Sequence, residues 1–196
     1  MTIGQMMLGE FDQEMQNTRK VLERCPDEKW NWKPHEKSGT LGWLACHVAT
    51  MVEWLPITLK TEELDYAPVG GPAYQPPKIG NRKELLAVFD KNVAEARAAL
   101  ASVSDAEMMK NWRLLAGGQE ILKMPRVACL RGMVMNHHIH HRAQSVRQIR
   151  LAEDFPGPQR AAVGQEVGFR SRPHIEKWLA ISNGRRAHIV QSETVC

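Results

Sequence analysis

No stretch of this 196-residue chain approaches the roughly 18–20 consecutive apolar residues that a membrane-spanning helix needs. The N-terminus carries Glu10, Asp12 and Glu14 and lacks the basic segment followed by an apolar one that marks a secretory signal. The expected address is therefore the cytoplasm, with no membrane partner. The cysteines are Cys25, Cys46, Cys129 and Cys196, and no two of them form a C-x-x-C pair. That spacing argues against a cysteine zinc site, and a reducing compartment argues against a disulfide framework. Two signatures of metal enzymes are also missing. No glutamate stands three residues before any histidine, which disfavours the di-metal chemistry of ferritin-like bundles, and the zincin H-E-x-x-H is absent. There is no internal repeat and no low-complexity tract.

A basic excess on the body of the chain is lacking as well. The formal charge is +4, with 26 Lys+Arg and 22 Asp+Glu. From Arg142 onward there are nine basic and five acidic residues, so the part before it holds 17 of each and is neutral. A nucleic-acid binder carries its basic face on the folded body, so no nucleic-acid partner is expected. What is present is the composition of a folded globular chain, 43% hydrophobic and 24% charged, long enough for one domain with its own core.

The periodicity predicts four helices. Met7, Phe11, Met15, Val21 and Leu22 lie along a first helix over residues 3–24, stopped at Cys25-Pro26. Trp30, Trp32 and Pro34 fall in a connector whose aromatics cap one end of the core. Ser38-Gly39-Thr40 offers an N-cap for a second helix to about Leu55, ended by Pro56, with Trp43, Leu44, His47, Met51 and Trp54 on its inward face. Residues 56–80, rich in Pro and Gly, read as a long irregular loop of the kind that covers a site. Asn81 and Glu84 resemble a capping box opening a third helix to about Leu100. Its inward residues are Leu85, Val88, Phe89, Val93, Ala96 and Leu100. A hairpin is expected around Gly117-Gly118. Pro125 begins a fourth helix to about Ala152, with the stripe Val127, Leu130, Val134, His137, His141, Gln144 and Gln148. The pattern decays after Asp154. The expected organisation is an all-α four-helix bundle over 1–154, with a long loop between helices 2 and 3, followed by a C-terminal extension over 155–196.

Half of the eight histidines fall in Asn136-His-His-Ile-His-His-Arg-Ala-Gln144. On a helix, positions i and i+4 are about 40° apart and one turn apart, so His137 and His141 can bind one ion from successive turns. His140 can pair with His137 at i, i+3 but sits at the edge of the apolar stripe. His138 points about 100° away from His137 and is the least suited. A bundle metal site faces inward, and a third ligand is needed. Of the remaining histidines only His47 lies on a predicted inward helix face; His35 is in a connector, and His174 and His188 are in the tail. A buried imidazole can equally be a hydrogen-bonded core residue, and a histidine run can be a solvated face. Three neutral imidazoles plus water would be an open, catalytic type of site, which Zn, Ni, Fe or Mn can each occupy.

Trp32-Lys-Pro34, then Leu41-Gly-Trp-Leu-Ala-Cys-His47, and Asn136-His137-x-x-x-His141-Arg142-x-Gln144 together resemble the DinB family, the damage-inducible-like four-helix bundles related to bacillithiol- and mycothiol-dependent S-transferases. The resemblance spans roughly residues 5–150. It implies an up-up-down-down bundle, often a homodimer, with one divalent metal ion held by His47, His137 and His141. Its relatives include thiol transferases and maleylpyruvate isomerases. The expected function is a metal-dependent transferase acting on a small-molecule substrate with a low-molecular-weight thiol. The alternatives are a non-catalytic metal-binding stress-response protein and a metal-dependent hydrolase.

Overall fold

The computed structural model describes residues 1–72, 75 and 77–154. Helix α1 spans Ile3–Leu22. Thr2 caps it, accepting from the Gln5 amide at 3.2 Å while the Gln5 side chain accepts from the Thr2 amide at 2.9 Å. That reciprocal pair satisfies two of the amides a helix start leaves unbonded. Phe11, Met15, Thr18 and Leu22, spaced by four, three and four, form its buried face.

Helix α2, Leu41–Met51, is capped by Thr40, whose hydroxyl accepts from the Trp43 amide at 3.0 Å. The second helix does not run on to Leu55 as one piece. It stops at Met51, and a separate helix, α3, covers Trp54–Lys60. Pro56 lies in the first turn of α3, where an amide would have no intrahelical acceptor, so it does not end the helix there. Strand β1, Glu63–Asp65, follows, so the expected loop over 56–80 begins only after it.

Helix α4 spans Arg82–Ser102. Asn81 caps it by accepting from the Glu84 amide at 2.9 Å, but the Glu84 carboxylate reaches the Gly80 amide, one residue further back than a standard capping box. Leu85, Phe89, Ala96 and Leu100 are buried, and Val88 and Val93 pack partly against them. A short helix, α5 at Asp105–Met109, leads to β2, Asn111–Ala116, and β3, Gln119–Pro125. The two strands pair antiparallel around Gly117 and Gly118. Both turn residues have positive φ, +60° and +76°, the tight hairpin geometry that glycine accommodates without strain. β1 adds to β2 in parallel, and the Asp65 carboxylate accepts from the amides of Gly117 and Gly118. The fold is therefore mostly helical with a small three-stranded sheet, and not all-α as expected.

The last helix begins one residue later than expected, with Pro125 as its cap. It reads α6, Arg126–Cys129, then a π-helical segment, Leu130–Asn136, then α7, His137–Asp154. Helix α1 packs on α4, α4 on α2, α2 on α7 and α7 on α1. The shared core holds Phe11, Leu22, Leu41, Val48, Leu85, Phe89, Leu100 and Leu130, each at most 1% exposed. Each such side chain contributes about 1.5–3 kcal/mol relative to exposure. Trp30 and Trp32 lie partly buried against this core. A second, smaller cluster of Trp112, Leu114 and Cys129 lies under the sheet. Among the described residues no helix is long and apolar enough to cross a membrane. The C-terminal extension expected over 155–196 lies outside the described residues.

Candidate metal centre

The contact between α2 and α7 brings the site together. His47 sits in the middle of α2, flanked by the buried Cys46 and Val48 that hold the helix to the core. His137 and His141 occupy the first turns of α7, just after the π-helical segment. One ligand nitrogen from each of His47, His137 and His141 can be chosen so that all three lie within 4.8 Å of one another. The His137 and His141 Nε2 atoms are 2.8 Å apart. The His47 ring meets both edge-on, with centroids 4.6 Å from His141 and 5.7 Å from His137. Among the described residues, these three form a potential ligand set made only of imidazole.

The electrostatics suit a cation from outside and not a proton. Burial, with His141 and His137 next in weight, pushes the His47 imidazole down to about 3, so it is neutral at physiological pH and keeps a lone pair. His141 Nδ1 lies 2.7 Å from Gln144 Oε1. An amide oxygen only accepts, so the proton sits on Nδ1 and the Nε2 lone pair faces His137. This is the outer contact a metal-binding histidine uses to fix its tautomer. A neutral His47 imidazole, converging nitrogens and a fixed His141 tautomer fit a metal cation.

The neighbouring histidines divide as the helix geometry requires. His138 is 1% exposed and faces away from the cluster. Its Nε2 lies 2.8 Å from Thr18 Oγ1 on α1. The Thr18 hydroxyl proton goes to the Glu14 carbonyl at 2.9 Å, so His138 Nε2–H is the donor to Thr18. Burial and then Arg142 hold the His138 imidazole down at about 3. Arg142 bonds the Glu14 carbonyl and pairs with the Glu14 carboxylate at 2.5 Å, tying α7 to α1. His140 is exposed, its ring 5.1 Å from that of His141. His35 stands in the connector, where its Nδ1 accepts from the Lys37 amide.

Two contributors were not recognised as such in the sequence. Gln144 was legible as a stripe residue and as the end of the resembling motif, without a role at the centre, though it stands three residues after His141, the spacing of a shared helix face. Trp43 was placed on the inward face, yet it is 40% exposed and its indole stacks on His47 at 5.4 Å with the planes 7° apart. Its position one turn before His47 is the only sign of that in the sequence.

A family model described as the DinB superfamily matches residues 10–145. The chain is also similar to a DinB-like protein from Bacillus subtilis whose crystal structure is known. The two share 17% identity with a TM-score of 0.58, over 76% of this chain and 92% of that one. At that identity the likeness is one of fold. A comparison with curated proteins finds no match.

Proposed function

The chain belongs to the DinB superfamily, and on that footing we propose that it is a divalent-metal-dependent transferase that joins the sulfur of a low-molecular-weight thiol to a small electrophile. The metal ligands in this reading are His47, His137 and His141. The observation that carries it is the convergence of three imidazole nitrogens within 4.8 Å, with no carboxylate or thiol in the set. A neutral three-histidine set leaves the ion its full charge and an open position, the pattern of catalytic and not structural sites. An ion there would supply the Lewis acidity that keeps a thiol in its nucleophilic thiolate form.

The chain's own side chains do the rest. Gln144 holds the His141 tautomer, and Trp43 walls one side of His47. Among the described residues no cysteine offers that thiol, and in this reading it comes from outside. Cys25, Cys46 and Cys129 are buried, and burial pushes the Cys25 and Cys129 thiols up to about 11. In the transfer the external sulfur forms a bond to an electrophilic carbon. The broken bond's electron pair departs with the leaving group, and the thiol proton goes to solvent.

The test has two parts. Elemental analysis of freshly purified protein should give close to one divalent ion per chain. The metal-loaded protein should then deplete a low-molecular-weight thiol in the presence of at least one electrophile from a panel. A mere trace of every metal would remove the centre, and failure to consume any thiol while a thiol-transferring relative does so in parallel would remove the transferase. A second reading, metal binding without catalysis, draws on the cluster's holding no carboxylate among the described residues; it predicts full metal content with no thiol consumed.

A further inference from the structure

We propose that Gly39 and Trp43 are positioning residues for the metal centre: the bare α-carbon of Gly39 gives the Trp43 indole its place, and the indole in turn sets the plane of the His47 ring. This rests on the metal-binding reading above. An indole left 40% exposed on a helix surface is not explained by core packing, but it is explained by what lies against its ring. Gly39 stands just before the Thr40 cap, four residues ahead of Trp43, and His47 follows Trp43 by four, one helical turn on.

A Cβ added at Gly39 would lie 2.7 Å from Trp43 Cε3, 3.2 Å from Cδ2 and 3.3 Å from Cζ3. The first distance is well inside van der Waals contact, and the atoms struck belong to the rigid fused ring and not to the end of a flexible chain. Moving the ring aside disturbs its stack on His47, where the planes lie 7° apart with centroids at 5.4 Å. The backbone does not itself demand glycine here, since positive φ among the described residues is confined to Gly70, Gly117 and Gly118. The three atoms nearest to a side chain at 39 all belong to the indole. The Gly39 carbonyl also accepts from Gln148 Nε2 at 3.1 Å, and Gln148 lies on α7, seven residues beyond His141. The turn that seats Trp43 is thereby fastened to the helix carrying the other two histidines. Loss of such an outer contact typically weakens metal affinity about 10–100-fold.

The test is a double-variant cycle on the full chain, with Zn²⁺ affinity measured by competition calorimetry and helicity by circular dichroism. Gly39→Ala should weaken Zn²⁺ binding about 10–100-fold, and Trp43→Ala should do likewise. The double variant should be no weaker than Trp43→Ala, because the three atoms nearest to the methyl at 39 are then gone. The inference is overturned if Gly39→Ala binds within about twofold of wild type, or if the two losses multiply as independent sites do. Should Gly39→Ala fail to fold, Trp43→Ala decides alone, and wild-type affinity in that variant overturns the inference. Failure of the wild-type chain to bind Zn²⁺ would instead overturn the metal reading on which this one stands.

Discussion

His137 Nε2 and His141 Nε2 face each other at 2.8 Å across one turn of α7, and Gln144 holds the far nitrogen of His141. Facing ring nitrogens this close hold at most one proton between them. A cation placed between them would take the place of that proton and accept both lone pairs. The pair is set by helix geometry, and the third member, His47, arrives from another helix. Losing each histidine should therefore have a different consequence.

Replacing His47 with Ala should abolish tight metal binding while leaving the helices intact. The side chain is only partly buried, and its α2 neighbours Leu44, Ala45 and Val48 keep the packing. Calorimetric titration with Zn²⁺ and Ni²⁺, alongside circular dichroism, checks this. Wild-type affinity in that variant would reduce His47 to a core residue.

Within the run, His137→Ala and His141→Ala should each lower metal affinity by several orders of magnitude. His138→Ala should leave affinity near wild type and act on stability instead. It removes a buried side chain and its bond to Thr18, a combined cost of about 2–4 kcal/mol. Urea unfolding of the metal-free variants gives that number. A His138 variant as poor in metal as the His141 variant would redraw the centre.

Gln144→Leu removes the acceptor that fixes the His141 tautomer, so metal affinity should fall about 10–100-fold. Gln144→Glu keeps an acceptor at the same reach and should bind at least as well as wild type. Equal losses in the two variants would show that the contact with His141 is not what matters.

Acid should destabilise the metal-free protein in a defined window. His47 and His138 are held down at about 3 in the folded chain, against an ordinary 6.5. Between these values the unfolded chain binds protons that the folded one refuses, so stability falls as pH falls. The contribution is fully present above about 6.5 and is lost progressively toward 3, with a slope approaching 1.4 kcal/mol per pH unit for each fully refused proton. Urea unfolding at a series of pH values should show the slope, and His138→Leu should flatten it. An identical slope in that variant would mean that His138 is not neutral in the folded state.

Much of this protein is local, and what is local was readable. The Thr40 and Asn81 caps, the glycine pair of the hairpin and the one-turn spacing of His137 and His141 depend on residues within a few positions of one another. The chain reports them directly, because backbone geometry converts spacing into direction.

What the sequence could not decide involves partners far along the chain or a departure from regular geometry. That His138 is buried depends on Thr18, 120 residues away. The π-helical turns over Leu130–Asn136 change the helix phase just before the histidines, and no residue type announces them. Pro56 within α3 and the short strand β1 depend on packing against α4 and on pairing with β2. The outward placement of Trp43 follows from the ring of His47 and the bare face of Gly39. The chain by itself determined which two histidines share a face of one helix. Only the packing of α2 against α7 decided that a third would meet them, because that distance is set by the whole core and by no single stretch of sequence.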